Sequence, residues 1–267
     1  MAVLGSASPS RRDFMKGVAA AVGGVALMNA GDALAASESA PQQAPISADQ
    51  LVASIREDLR EIDQKIMNHP YLRALRKGKV SIEALKAFPG HEYHVATSDL
   101  RSMAHFVHRF GDQPKVSVFF NGILQGEYAA LAAIPVFAAK IGMSIADLER
   151  YEVTPEGFTY PTFMAWQSVY ASAAASVCGI LVNFAAWGHN CGEMSAALRA
   201  KYGFSSAETA FLDNFANLPS FEAAALEIIQ DGLDQGADPA EIRRAARLYQ
   251  AYEKMFWDAM AKIAKVD

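Results

Sequence analysis

Apolar residues recur at helical spacing along nearly all of the chain after Ala44, and no stretch alternates as a half-buried strand would. Ser47 is an N-cap ahead of Leu51, Ile55, Leu59 and Ile62, which share one face of a helix ending near Met67. Asn68-His69-Pro70 interrupts that helix, and Tyr71 to Arg76 forms a further short turn. After Gly78, Ser81 opens a helix that runs to about Phe110, bent at Pro89-Gly90 where a backbone donor is missing. Gly111-Asp112-Gln113-Pro114 is a turn, and Val116 to Ile141 is helical again, with Glu127 in an apolar surround. Ser144 caps a short segment from Ile145 to Glu149, and a loop covers Val153 to Thr159. The longest run follows, from Thr162 to about Tyr202. It is apolar on nearly every face and reads as one buried central helix. Ser206 to about Gly232, broken at Pro219, and Asp238 to Lys265, opened by the cap-and-proline pair Asp238-Pro239, complete the pattern. The expectation is an all-α single domain of about seven helices.

The central run carries Ser, Asn and Gln and lies between exposed helices, so it is not taken as a membrane span. Into its second half the sequence places Trp187, His189, Cys191 and Glu193. Polar groups buried there need partners or a function, so this helix is expected to wall a pocket.

The first residues follow a different pattern. Ser10-Arg11-Arg12-Asp13-Phe14-Met15-Lys16 matches the twin-arginine pattern, an apolar stretch from Gly17 to Met28 follows, and Ala33-Leu34-Ala35 supplies a small-residue cleavage site. Residues 1–35 are therefore read as a signal peptide, 36–46 as a polar mature N-terminus and 47–267 as the helical domain. The expected location is periplasmic or otherwise exported, with the twin-arginine machinery as a partner. The formal net charge is −5, without a basic cluster, which argues against nucleic acid and anionic membrane surfaces as partners. The two cysteines, Cys178 and Cys191, sit thirteen residues apart on one helix. That is about 20 Å at ~1.5 Å per residue, too far to bridge.

The densest polar cluster is His91-Glu92-Tyr93-His94 with Asp99, His105 and His108. It is not a zincin motif, which needs two histidines four apart on one helical face. Glu127 and Glu193 are single acids on apolar helices and read first as hydrogen-bonded structure. Glu253, Phe256 and Trp257 lie on neighbouring faces of the last helix.

Three of these segments, in order, resemble a known family. His69-Pro70-Tyr71, Gly78, Val80, Leu85, Phe88 and His91-Glu92-Tyr93 are similar to the opening of the TenA (thiaminase II) family, which belongs with PqqC to the haem-oxygenase-like superfamily. Ala185-Ala186-Trp187-Gly188-His189 resembles its Cys-x-Trp-x-Tyr segment, and Glu253-Lys254-Met255-Phe256-Trp257 its Glu-x-x-Phe-Trp motif. The resemblance implies a haem-oxygenase-like helical bundle with a central pocket, commonly tetrameric, acting on a thiamine-derived aminopyrimidine. It places Glu92 at the position of the aspartate that holds the pyrimidine and Glu253 at the catalytic glutamate. Trp187, Tyr93 and Phe256 join Glu92 as substrate-binding residues, and His189 joins the catalytic set.

The departures are as informative. In this register the family's nucleophilic cysteine falls on Ala185 and its partner tyrosine on His189. Cys191, six residues beyond Ala185, lies off that face. The favoured expectation is an exported, carboxylate-based hydrolase of an aminopyrimidine or related thiamine-breakdown amine, with no cofactor. The alternatives are a non-catalytic binding or maturation protein, or an iron or manganese oxidase. The last would use Glu92, Asp99, Glu127, His189 and Glu193, because Glu92 and Asp99 are seven apart and His189 and Glu193 four apart on helical faces. Self-association stays open.

Overall fold

The computed structural model describes residues 46–266, which are mostly helical, with no strand among the described residues. The signal peptide and most of the mature N-terminal tail expected from the sequence lie outside the described residues.

The helices are α1 (Ala48–Met67), α2 (Pro70–Arg76), α3 (Ile82–Leu85), α4 (Ala87–Arg109), α5 (Pro114–Lys140), α6 (Ile145–Glu149), α7 (Thr159–Tyr170), α8 (Ala173–Tyr202), α9 (Ala210–Ala216), α10 (Glu222–Asp234) and α11 (Pro239–Ala264). Local chemistry explains most boundaries. Ser47 and Gln50 form a reciprocal capping box at α1. At α2 the cap is His69, whose Nδ1 accepts from the Tyr71 N–H at 3.3 Å while Nε2 reaches Asp258 at 3.1 Å. One buried imidazole thus starts α2 and ties it to α11.

Among the described residues, two stretches expected as continuous helices are each divided. Pro89 cannot donate to the Leu85 carbonyl, so the helix expected over 81–110 is interrupted at Lys86 instead of bent at Pro89, and Pro89 sits in the first turn of α4. The run expected as one central helix is also two. Ala171 is extended (φ −79°, ψ 157°), and the Ser172 hydroxyl accepts from the Ala175 N–H to cap α8. A serine ahead of three alanines carried this cap signal, hidden by the apolar composition on both sides. The carbonyls left open at the end of α7 are met by α4. His105 Nδ1 donates to the Ser168 carbonyl at 2.9 Å, and Arg109 donates to it at 3.2 Å.

α8 runs through the middle and is buried along most of its length. It touches α11 most closely where Gly179 faces Tyr249: a Cβ there would stand 2.2 Å from the ring. Two hydrophobic clusters flank its length. One joins α2, the start of α4, the end of α5, α9 and the end of α11. The other joins α1, the end of α4, the start of α5, α7, α10 and the start of α11. α5 is long and apolar enough to cross a membrane by length and composition alone. It packs against α4 and carries the buried acid Glu127, while Val118, Tyr128 and Val136 stand exposed on its outer side.

Candidate functional site

Where the two clusters meet, the interior is not apolar. A cavity of about 50 Å³ lies there, room for about four waters at roughly 10–15 Å³ each. Four carboxylates line it: Glu92 and Asp99 from α4, Glu127 from α5 and Glu253 from α11. All four are buried, and no Lys, Arg or His is among the lining residues. Glu92 and Asp99 share a face because they are two turns apart, about 10 Å along the axis at ~1.5 Å per residue.

Aromatic rings close the rest. Trp187 of α8, Phe211 and Phe215 of α9 and Phe256 of α11 line the cavity. Behind them Phe88 lies between Trp187 and Trp257, with ring centroids 6.3 and 6.2 Å away. Such packing fixes the side chains and keeps bulk water from the acids.

Glu253 is the best-anchored acid. The Trp257 indole N–H donates to its Oε1 at 2.7 Å, and the Asn183 amide donates to its Oε2 at 3.4 Å. Asn183 in turn accepts from the Tyr160 hydroxyl at 3.0 Å and donates to Gln250 at 3.0 Å, and Gln250 donates to Asp63. This chain of bonds ties α7, α8, α11 and α1 to one carboxylate. Burial raises the Glu253 pKa to about 7, against the two hydrogen bonds, which pull it down. Burial holds Glu127 at about 8. Glu92 is pushed well above the usual carboxylate range by burial first, then by the charges of Glu253, Asp99 and Glu127. Asp99 is raised likewise by burial and by Glu127, and its Oδ1 has no hydrogen-bond partner.

Of the residues singled out in the sequence, Glu92, Asp99, Glu127, Trp187, Glu253 and Phe256 come together at the cavity. Others do not. Tyr93 is half-buried against the first hydrophobic cluster and is not part of the lining. His189 is exposed, and Glu193 lies at the surface with Arg76 at 2.5 Å. The expectation that His189 belongs to the site is thereby corrected: Trp187 faces inward, and a residue two positions on is turned about 200° away, at ~100° per residue. Ala185 is exposed for the same reason. The α8 residues four apart that do face the cavity are Asn183 and Trp187, so the inward face is two residues out of step with the sequence register.

The metal set expected as an alternative is not assembled. With His189 and Glu193 outside, no imidazole is among the residues that line the cavity. Among the described residues no group of three or more His, Cys, Asp or Glu is arranged to hold an ion. His91 is structural: its Nδ1 donates to the Ala87 carbonyl at 2.8 Å, and its Nε2 accepts from the Thr154 N–H at 3.0 Å. Gly157 packs so close that a Cβ would stand 2.5 Å from this ring. No thiol competes as nucleophile, since burial pushes Cys178 up to about 12 and Cys191 well above its usual value.

Asn183, Tyr160 and the α9 phenylalanines were not marked by the sequence pattern. Only Asn183 carried a signal, an amide one helical turn before Trp187.

A TenA homologue from Pseudomonas syringae pv. tomato superposes with a TM-score of 0.66 at 19% identity, over 82% of this chain and 97% of that one. The TenA homologue from P. horikoshii gives 0.66 at 15% identity, over 80% and 99%. A domain with a heme oxygenase-like fold from Shewanella denitrificans gives 0.63 at 13%, over 82% and 94%. These likenesses establish the all-α, heme oxygenase-like fold. Among curated proteins none matches the sequence. The family model of the TENA/THI-4/PQQC family matches residues 56–262, and the chain belongs to that family.

Proposed function

We propose that the protein is a hydrolase that removes an amino group from an aminopyrimidine or a related thiamine-breakdown amine, using carboxylates in place of a thiol. The observation that carries this reading is Glu253, a buried carboxylate with a pKa of about 7, held by Trp257 and Asn183 at an aromatic-lined cavity that also contains Glu92. Two acids in one site with separated proton affinities can divide the work of acid and base.

Glu92, kept protonated by burial and by its acidic neighbours, can donate its O–H to a ring nitrogen while its other oxygen accepts from the exocyclic amine. That two-point contact selects an amine next to a ring nitrogen. Ionised Glu253 takes a proton from water as the oxygen bonds to the amine-bearing carbon. It then returns the proton to the nitrogen as the carbon–nitrogen bond breaks. Amine and water become the ring hydroxyl, or its keto form, and ammonia. The rings around the cavity match a flat ligand.

Export fits the same proposal. The twin-arginine pattern at Ser10–Lys16 supports action outside the cytoplasm on a substrate met there. Two measurements test the reading. Ammonia release should be seen with aminopyrimidines and not with their hydroxypyrimidine counterparts, and the protein should fractionate with the periplasm. Failure of every aminopyrimidine to release ammonia would remove the hydrolase reading.

A further inference from the structure

The acids at the cavity fall into two groups. Glu253 is bound by Trp257 and Asn183, and Glu92 is the acid of α4 on which its charge acts most strongly. Two turns further along α4, Asp99 stands with Glu127 of the neighbouring helix α5. Asp99 is 5% exposed and its Oδ1 has no partner, although it lines the cavity. Tyr160, the hydroxyl among the lining residues, is already committed as donor to Asn183. A buried carboxylate oxygen without a donor is costly, and a second buried acid lining the same cavity adds to that cost. Neither acid is needed for the proton transfers described above. The cavity lining offers no positive charge, and a ligand that carries one would supply the donor Asp99 lacks.

We infer that Asp99 and Glu127 form a second subsite, which takes a protonated amine carried by the substrate in addition to the group presented to Glu92 and Glu253. This deepens the reading of the same cavity and rests on it for the placement of the reacting amine. The substrate class becomes a small base with a donor group at each end: a flat amine at the Glu253 end and an ammonium at the Asp99 end. An ammonium supplies three donors, enough to satisfy the free Asp99 oxygen and a Glu127 oxygen together. A neutral hydroxyl at that end would leave one acid without a donor, so the subsite also discriminates against hydroxylated analogues.

Calorimetric titration of the full chain with putrescine, a diamine, and butylamine, its monoamine counterpart, tests the subsite without requiring turnover. Putrescine should bind at least about tenfold more tightly, since charge-assisted hydrogen bonds form at both ends. Asp99→Asn and Glu127→Gln, both isosteric, should each erase that preference, putrescine then binding no more tightly than butylamine. Equal affinity of the wild-type protein for the two amines would overturn the subsite, whatever the variants do. So would retention of the preference in both variants, or one-to-one Mn²⁺ binding that either substitution abolishes. A putrescine preference in a protein that releases no ammonia from any aminopyrimidine would sustain the subsite and discard only the reaction.

Discussion

Trp257 and Glu253 stand one turn apart on α11, and the indole N–H of the first donates to the carboxylate of the second at 2.7 Å. Trp257 is fully buried, so water does not compete for that bond. The bond favours the ionised form of Glu253 and opposes the burial that raises its pKa to about 7. Trp257→Phe keeps most of the ring and removes the donor. The pH at which deamination reaches half its maximum should then move upward by roughly one pH unit. The fold should lose about 1–3 kcal/mol in chemical denaturation, the cost of a buried acceptor left short of a donor. An unmoved pH profile would separate Trp257 from the proton chemistry.

The acids predict how stability depends on pH. Glu127 has a folded-state pKa of about 8 against an ordinary value of 4.5, because it is buried. A carboxyl raised in this way stabilises the fold while protonated. That contribution is complete below the ordinary value and is lost as pH rises through about 8. Thermal unfolding should therefore show a higher midpoint at about pH 5 than at about pH 9. Glu127→Gln should flatten the difference, gaining on the order of 1–3 kcal/mol at the higher pH and little at the lower. Asp99 and Glu92, also raised, keep part of the slope in the variant.

His189 is exposed and outside the cavity lining, so His189→Ala should leave both properties alone. Stability should stay within about 0.5 kcal/mol and turnover should be unchanged. A large loss of activity would return His189 to the site and would require α8 to be rotated from its present setting.

His189 also marks the limit of what the sequence revealed. The helical class, the family and the inward acids Glu92 and Glu253 were legible, because period, capping residues and local motifs encode them directly. The facing direction of α8 was not. This helix is apolar on nearly every side, so its composition carries little moment to say which residues point inward. Trp187 was identified, but the register around it slipped by two, giving Ala185 and His189 in place of Asn183 and Trp187. The break at Ala171-Ser172 was hidden for the same reason, since a single serine in an alanine-rich run is a weak mark against uniform apolarity. The partnership of Asp99 with Glu127 depends on how α4 meets α5, and their separation in the sequence does not encode that meeting.

The most direct measurement is ammonia release from an aminopyrimidine by the wild-type protein and by Glu253→Gln, followed across pH. Wild-type rate should rise through about pH 7 as Glu253 ionises. The variant should bind the same compound but lose about 10²–10⁴-fold in kcat, the usual worth of a positioned general base. A Glu253→Gln variant that retains the wild-type rate and pH profile would show that the carboxylate held by Trp257 and Asn183 does not carry the proton.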